Sequence, residues 1–420
     1  MKKFIVWLLG TLLVLTSCSP SINDDEVVKQ EDESEENTSI VSSNQFSKEE
    51  YRTILPYRPS ASRGVIVNQM GNRLDIDEME QGLRRLSKEY YDPEKYFFEE
   101  GQYLEEDMMY NWLEREMTEQ QLAVTIANYK ESFPNAPKSK IEEIRHENTL
   151  ALNPPIKYDK SNKDDESASQ QSWPSKKQQE ENPKYLTHIL EQNFLKKNED
   201  NSVELVGMSI GIAMKSEYTF QTEDGGPSYH HEIPKSTMLK KGKEIAQTVL
   251  ERVRKMDNLA DIPILITLYR EEDQGSPVSG SYVAKTGVKG SDMTIGEWET
   301  VNEENILFPS DEGKEKYYDH QQLVQNFGTR IEEFFPNYVG VIGEGFYKNE
   351  ELKKLTLEIP LEFYGKGEVI GFTQYTYQLV KEMFSDYYDL EVKIKSNDKM
   401  ESIIYREAGA DEPTVHIFDK

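Results

Sequence analysis

The chain of 420 residues has one cysteine, six histidines and too few basic residues to balance its acidic ones. A single cysteine cannot form an intramolecular disulfide or a cysteine-rich metal site, so stability must come from packed cores. The 49 Lys and Arg face 77 Asp and Glu, which gives a formal net charge of −28. Such a surface repels phosphate, so neither nucleic acid nor polybasic attachment to anionic lipid is expected.

Long apolar runs are also missing outside the N-terminus, so no membrane-spanning helix is predicted. The first residues differ, because the charged start Met1–Lys3 leads into an apolar run from Phe4 to Thr16. A charged start, an apolar segment too short for a comfortable span and small residues before a cut are typical of an export signal. The sequence therefore predicts an exported protein.

The end of this signal is Leu15-Thr16-Ser17-Cys18, which fits the bacterial lipobox. We predict cleavage between Ser17 and Cys18 and a covalent diacylglycerol on the Cys18 thiol, with no other cofactor. Two acyl chains, such as palmitate, anchor a protein stably where one chain would not. The expected location is the outer face of the cytoplasmic membrane. The alternative is an ordinary cleaved signal with an unrelated cysteine.

Composition divides the remainder into folded and polar segments. The stretch after Cys18 is rich in Asp, Glu and Ser and cannot bury enough apolar surface to order itself. We predict an α+β protein with two folded regions, the C-terminal one having mixed sheets and helices and a repeated order that indicates a duplicated unit. The predicted segments are a signal peptide (1–17), a lipidated N-terminus with a disordered acidic tether (18–45), an N-terminal α+β region (46–156), a polar linker (157–184) and a C-terminal α+β region (185–420).

Periodicity predicts several elements. Asp75 followed by Glu78 resembles a capping box, and the apolar stripe after it indicates a helix with one buried face. Helical patterning is also predicted over 185–197. In the strand predicted over 203–214, Gly207, Ser209, Gly211 and Ala213 make one face nearly flat, so another element can approach closely. The strand over 355–363 alternates, which predicts one wet face, and Pro360 favours an edge position.

Three short patterns could carry chemistry, and each has a plainer interpretation. The G-x-S-x-G pattern around Ser209 lies inside an alternating strand, which favours close packing over a nucleophile. Adjacent His230 and His231 would point to opposite faces of a strand, so a metal site would need a loop that bends them together. The glycines over 340–345 are in the wrong order for a phosphate loop and favour crowding in a sheet. We predict no catalytic residue and no metal site.

Several short phrases of the chain form a characteristic set. They are Phe335-Pro336-Asn337-Tyr338-Val339-Gly340-Val341-Ile342-Gly343, Leu357-Glu358-Ile359-Pro360-Leu361, Ile370-Gly371-Phe372-Thr373-Gln374-Tyr375, Val415-His416-Ile417-Phe418, Leu205-Val206-Gly207-Met208-Ser209-Ile210-Gly211 and Asp261-Ile262-Pro263-Ile264. Together with the lipobox, this set resembles the CamS family of sex-pheromone precursor lipoproteins from Gram-positive bacteria. The resemblance covers most of the chain from about Arg63 onward, apart from the polar linker.

The resemblance implies a second product, because in that family the tail of the signal peptide can be trimmed to a short peptide that signals to plasmid-bearing enterococci. The matching segment here is Thr11-Leu12-Leu13-Val14-Leu15-Thr16-Ser17, which departs from the Ala-Ile-Phe-rich pheromone associated with the family. No catalytic motif comes with the resemblance. We therefore expect a non-enzymatic lipoprotein, bound to the membrane through its anchor, with an unidentified extracellular ligand or protein partner. The alternatives are a solute-binding lipoprotein and a wall-associated hydrolase.

Overall fold

The computed structural model confirms the predicted α+β class. It describes the backbone of residues 26–30 and 37–41 and, with side chains, residues 50–156, 174–199, 202–335, 338–363, 365–396 and 399–419. These residues form ten helices, two large mixed sheets and a two-stranded sheet. Within this part of the chain, no helix combines the length and apolar content that crossing a bilayer requires.

The strands are β1 (Glu26–Gln30), β2 (Asn37–Val41), β3 (Arg52–Leu55), β4 (Phe97–Glu100), β5 (Leu186–Lys197), β6 (Ser202–Met214), β7 (Glu217–Phe220), β8 (Tyr229–Glu232), β9 (Ile264–Arg270), β10 (Ser281–Val288), β11 (Glu299–Thr300), β12 (Glu303–Phe308), β13 (Ile342–Lys348), β14 (Glu351–Pro360), β15 (Asp389–Ser396), β16 (Lys399–Arg406) and β17 (Thr414–Ile417).

The helices are α1 (Val65–Gln69), α2 (Arg73–Ser87), α3 (Glu106–Leu113), α4 (Glu119–Ser132), α5 (Lys138–Leu150), α6 (Lys176–Glu181), α7 (Lys235–Val253), α8 (Asp311–Lys316), α9 (Tyr318–Glu332) and α10 (Lys366–Met383).

The chain forms two units, each built on one sheet. The first unit contains β1 to β11 and α1 to α7, and its nine-stranded sheet has the order β1-β2-β3-β4-β5-β6-β9-β10-β11. The second unit contains β12 to β17 and α8 to α10, and its six strands lie in sequence order. The hairpin of β7 and β8 forms a separate small sheet in the first unit.

The second sheet repeats the topology of six neighbouring strands in the first. In β4-β5-β6-β9-β10-β11 every neighbouring pair is antiparallel except β6 and β9, which are parallel. In β12-β13-β14-β15-β16-β17 the only parallel pair is again the central one, β14 and β15. A helix links the two parallel strands in both units, α7 in the first and α10 in the second. This agrees with the duplicated unit that the sequence indicated.

Helices cover both faces of the first sheet. Helix α2 places Met79 and Leu83 in one buried cluster, on the face that carries Tyr282. Helix α7 covers the opposite face with Ala246 and Val249. The second sheet differs, because α9 and α10 cover only one face. The polar residues of β14 occupy the other face, as the alternation predicted.

The flat face of β6 admits a close neighbour, as predicted. A Cβ atom on Gly207 would lie 2.0 Å from the Tyr91 ring, so the position cannot accept a side chain without a shift. The Tyr91 hydroxyl donates to the backbone oxygens of Met208 and Pro263, and its ring stacks on Phe194 at 4.3 Å. The missing side chain at Gly207 thus lets an aromatic residue lie against the sheet.

The helix predicted over 185–197 is wrong, because this segment is strand β5. Leu186, Ile189, Leu190 and Phe194 have a spacing that a helix would also give. β5 lies between β4 and β6 and is buried along most of its length, so its apolar residues do not alternate with exposed polar ones. Because both faces of β5 are buried, its sequence lacks the alternation of apolar and polar residues that indicates a half-buried strand.

Helix α2 begins earlier than the proposed capping box. Its N-cap is Asn72, whose side chain accepts a hydrogen bond from the Leu74 N–H. Asp75 is buried inside the first turn and accepts from the Tyr269 hydroxyl at 2.7 Å and the Gly280 N–H at 2.6 Å. The residue predicted to cap the helix instead joins it to the loop between β9 and β10.

The boundary between the two sheet-based units lies later in the chain than the polar linker that was predicted over 157–184. β4 precedes that linker and β5 follows it, yet the two are neighbours in one sheet. The second sheet begins only at Glu303. Within the predicted tether, 26–30 and 37–41 form β1 and β2, and the other tether residues and 157–173 lie outside the described residues.

The edge position proposed from Pro360 is wrong, since β14 lies between β13 and β15. Pro360 is the last residue of the strand, beyond the final β13 pair at Glu358. A missing N–H at this point leaves the β13 ladder intact.

Candidate functional site

Ser209 does not form a nucleophile elbow. It is fully buried in the middle of β6, and its Oγ accepts a hydrogen bond from the Ser87 hydroxyl at 2.8 Å. The strand continues on both sides, so the sharp strand-to-helix turn that exposes a nucleophile is not formed here. Ser209 joins β6 to the C-terminal end of α2, the packing role that its sequence context favoured.

The two adjacent histidines lie on β8. His230 Nδ1 lies 2.7 Å from Glu217 Oε1 across the hairpin with β7. Across the residues that the structure describes, no three His, Cys, Asp or Glu side chains are grouped closely enough to hold a metal ion. Cys18 and the segment Thr11 to Ser17 lie outside the described residues.

The glycine-rich stretch over 340–345 partly serves sheet packing. A Cβ atom on Gly345 would lie 2.8 Å from Tyr347 and 2.9 Å from Phe308, and one on Gly343 would lie 3.2 Å from Leu357. Gly340 has open space around it. The crowding predicted for this stretch therefore applies to the two glycines inside β13.

The site that stands out in the described structure is a cavity of about 350 Å³ in the first unit, which we call the His188 pocket. Helices α1 and α2 form one wall and strands β4 and β5 the other. Its lining residues are Ser60, Ser62, Arg63, Gly64, Ile66, Val67, Arg73, Ile76, Asp77, Glu80, Arg84, Phe98, Glu100, His188, Leu190, Glu191 and Gln192.

His188 is the most deeply buried ionisable group of this pocket. Only 2% of its surface is exposed, and its Nδ1 has no hydrogen-bond partner among the described residues. Burial lowers the pKa of His188 to about 3, so its imidazole is neutral at physiological pH. A neutral ring has one donor and one acceptor nitrogen, so it can bind either kind of ligand atom.

Gln192 is a second buried polar group in the lining. Its Nε2 donates to the backbone oxygen of Glu80 at 2.9 Å, which fixes the amide against α2. Its Oε1 is buried and has no donor among the described residues. His188 and Gln192 are four positions apart on β5, so the strand period of two places them on the same face. Two unfilled hydrogen-bonding atoms therefore face α2.

Arg84 brings a positive charge to the pocket. Its guanidinium lies over the Phe98 ring at 4.4 Å, which fixes the position of the charge. Its buried Nε has no hydrogen-bond partner among the described residues. Glu80 is one turn earlier on α2, a spacing at which opposite charges usually pair. In the structure no ion pair joins these two side chains within 4.0 Å.

Burial also affects Glu80, since it raises the pKa of this carboxyl group, with nearby Glu100 acting in the same direction and Arg84 opposing it. The walls between the polar groups are apolar. Ile66 and Ile76 come from the two helices and Leu190 from β5. The pocket thus combines three arginines, four carboxyl groups, unfilled hydrogen-bonding atoms and an apolar surface, and Arg84 is the arginine that lies over an aromatic ring.

The rim is held by the loop before α1. Glu100 on β4 accepts a hydrogen bond from the Ser60 N–H at 2.6 Å and another from the Tyr57 hydroxyl. Gly64 then turns the chain into α1 with φ of 99°, a left-handed conformation that favours glycine. These contacts define the mouth of the pocket.

No local sequence pattern predicts this pocket. Its residues come from four separate stretches, over 60–67, 73–84, 98–100 and 188–192, which only the fold brings together. One signal was present, because the apolar strand β5 contains His188, Glu191, Gln192 and Asn193. Buried polar side chains in a strand need partners, so such a cluster points to a network or a ligand site.

Comparison with known proteins places the chain among pheromone precursors. The CamS sex pheromone cAM373 precursor family matches residues 57–412, which include the His188 pocket and strands β4 to β16. No protein of curated function matches the chain.

Two solved structures are similar in sequence and fold. A sex pheromone precursor from Lactobacillus salivarius is 27% identical with a TM-score of 0.74, and the match covers 91% of this chain and 99% of that one. The C-terminal domain of the staph-cAM373 precursor from Staphylococcus aureus is 25% identical with a TM-score of 0.67, covering 84% of this chain and 99% of that one. The chain therefore belongs to the CamS sex pheromone cAM373 precursor family.

Proposed function

We propose that this chain is an exported, lipid-anchored precursor lipoprotein held on the outer face of the cytoplasmic membrane of a Gram-positive bacterium. The observation that carries the proposal is Cys18, the only cysteine, standing directly after Leu15-Thr16-Ser17 at the end of an export signal. Diacylglycerol on Cys18 would anchor the folded units to the membrane. Membership of the precursor family supports this assignment.

The anchor can be tested with the full-length chain in a Gram-positive host. The wild-type protein should enter the detergent phase in a cloud-point extraction and incorporate labelled palmitate. Cys18→Ala should lose the label and move to the aqueous phase, because no acyl chain can attach. Ser19→Ala is the matched control and should behave like the wild type. Labelling of Cys18→Ala at the wild-type level would refute the anchor.

A second product is proposed from the signal peptide itself. The segment Thr11 to Ser17 would be released after cleavage before Cys18 and would act as a peptide signal, as the family name suggests. A synthetic peptide of this sequence should make plasmid-bearing enterococcal recipient cells clump at micromolar concentration. A peptide with the same residues in reversed order is the control. Equal or absent clumping with both peptides would remove this claim.

The folded units would act without catalysis, by binding. Burial of Ser209 and its continuous strand count against the wall-hydrolase alternative, which depends on that serine. The His188 pocket favours the other alternative, a solute-binding lipoprotein, because its size falls in the range of small-molecule sites and its buried polar atoms lack partners. A ligand that fills the pocket should raise the thermal unfolding temperature of the protein.

A further inference from the structure

We propose that the His188 pocket binds a free apolar α-amino acid. The proposal deepens the solute-binding function, and it does not depend on the lipid anchor. It follows from four properties of the lining: a cation without an ion-pair partner, a carboxyl group beside it, unfilled buried hydrogen-bonding atoms and apolar walls.

Arg84 supplies the site for the ligand's carboxylate. The planar guanidinium group matches a carboxylate in shape and charge, and its stacking on Phe98 already fixes its orientation. No described carboxylate pairs with Arg84, although acidic residues far outnumber basic ones in this chain. An arginine that stays unpaired under these conditions is available to an anionic group from outside.

Glu80 supplies the opposite charge for an ammonium group. It lies one turn before Arg84 on α2, so the two charges are side by side along one wall. A ligand that carries both charges a short distance apart can pair with both residues at once. An α-amino acid has this arrangement, whereas a simple fatty acid or an amine has only half of it.

His188 and Gln192 favour a ligand with further hydrogen-bonding atoms. A buried polar group without a partner is costly, and a ligand that supplies the partner removes that cost. Gln192 Oε1 accepts, so it suits an amino or amide N–H of the ligand. The neutral ring of His188 can donate or accept, so it suits the remaining polar atom.

The apolar walls define the side chain of the ligand. Ile66, Ile76 and Leu190 offer hydrocarbon surface, and a branched or aromatic side chain would bury its own surface against them. A sugar would place hydroxyl groups against these residues and leave them without partners. A cavity of about 350 Å³ holds a free amino acid but not a longer folded segment.

Titration calorimetry on the full-length mature lipoprotein in detergent tests the site. The probes are L-leucine, leucinamide, which lacks the carboxylate, and N-acetyl-leucine, which lacks the ammonium group. Leucine should bind, and each altered compound should bind at least about tenfold more weakly than leucine. Glucose and inorganic phosphate are negative controls. Absence of leucine binding at about 10 mM would refute the proposal, as would tighter binding of glucose or phosphate.

Two variants assign the charges to residues. Arg84→Met keeps most of the side-chain volume and should remove the preference for leucine over leucinamide. Glu80→Gln is isosteric and should remove the preference for leucine over N-acetyl-leucine. Arg330→Met, on α9 of the second unit, is the control and should keep both preferences. Retention of both preferences in Arg84→Met and Glu80→Gln would overturn the assignment.

The outcomes separate this inference from the lipid anchor. If the protein partitions into detergent but does not bind leucine, the pocket assignment is refuted and the lipid anchor is retained. Binding by a Cys18→Ala protein that stays in the aqueous phase supports the pocket without the anchor. If Arg84→Met does not fold, Glu80→Gln still gives a result, because it replaces one carboxylate oxygen with an amide nitrogen at an exposed position.

Discussion

Arg85 and Glu303 form an ion pair of 2.9 Å that joins helix α2 of the first unit to the first strand of the second. The Glu303 side chain is fully buried, and Arg85 also pairs with Glu78 at 2.6 Å. The Arg85 guanidinium lies over the Phe346 ring at 4.3 Å. A single side chain of α2 thus contacts the second sheet through both charge and stacking.

Removing this arginine should weaken the connection between the units. Arg85→Ala leaves Glu303 buried without its partner, which should cost about 3 kcal/mol of unfolding free energy. All four tryptophans precede Glu303 in the chain, so tryptophan fluorescence reports on the first unit while circular dichroism reports on both. In urea unfolding of Arg85→Ala, the two signals should no longer coincide.

Arg330→Ala is the control for that variant, because Arg330 pairs with Glu382 at 3.8 Å and both side chains are about half exposed. An exposed pair of this kind should cost less than about 1 kcal/mol. Equal stability of the two variants, with coincident transitions in both, would contradict a linking role for Arg85.

Two glycines should respond in opposite ways to a methyl group. Gly207→Ala would push a Cβ atom into the Tyr91 ring and should cost about 3 kcal/mol. Gly371→Ala has open space around it on the exposed side of α10 and should stabilise the protein by up to about 1 kcal/mol. Chemical denaturation measures both effects. Similar stabilities for the two variants would mean that the close approach of Tyr91 to β6 is incorrect.

Asp75 should make stability depend on pH. Burial raises the pKa of Asp75 to about 7, although hydrogen bonds from Gly280 and Tyr269 oppose the rise. The folded protein therefore holds this proton over a pH range in which the unfolded chain, with a pKa of 3.8, has lost it. The stabilisation is complete below that lower value and is lost as pH rises through about 7.

Asp75→Asn removes this titration and keeps an oxygen that can accept from Gly280. The stability of the wild type relative to Asp75→Asn should fall as pH rises from about 4 to about 8, measured by urea unfolding at a series of pH values. Asp77→Asn, an exposed position on the same helix, is the control. Parallel pH curves for wild type and Asp75→Asn would show that Asp75 does not retain its proton.

Ser209→Ala separates packing from catalysis. Loss of the hydrogen bond from Ser87 should lower stability by about 1 kcal/mol, because both groups are buried. Any hydrolytic activity on cell-wall material should stay at the wild-type level. Ser87→Ala is the matched variant, since it breaks the same bond from the other side. Loss of activity in Ser209→Ala alone would revive the hydrolase alternative.

The sequence predicted elements best where burial is one-sided. β14 alternates because one face is wet, and α7 has an apolar face because only one side meets the sheet. β5 was misassigned because it has neighbours on both sides and almost no exposed residues. The capping box failed for a related reason: Asp75 forms its hydrogen bonds with residues about 200 positions away, which no local pattern can show.

The His188 pocket could not be predicted from spacing. Helix α2 supplies Glu80 and Arg84, but β5 supplies His188 and Gln192 from the far side of the polar linker. Only the pairing of β4 with β5 brings these stretches together. The family resemblance located the correct relatives, yet it carried no information on which residues would bind.

The repeated topology of the two sheets leaves helix α2 without a counterpart in the second unit. One side of α2 packs on the first sheet, while Glu78 and Arg85 line a cleft of about 320 Å³ shared with the polar face of the second. The same helix also lines the His188 pocket through Glu80 and Arg84. If ligand binding to the His188 pocket moves α2, the surface of α2 that faces the second sheet moves with it. Ligand binding in the first unit would therefore be coupled to the second unit.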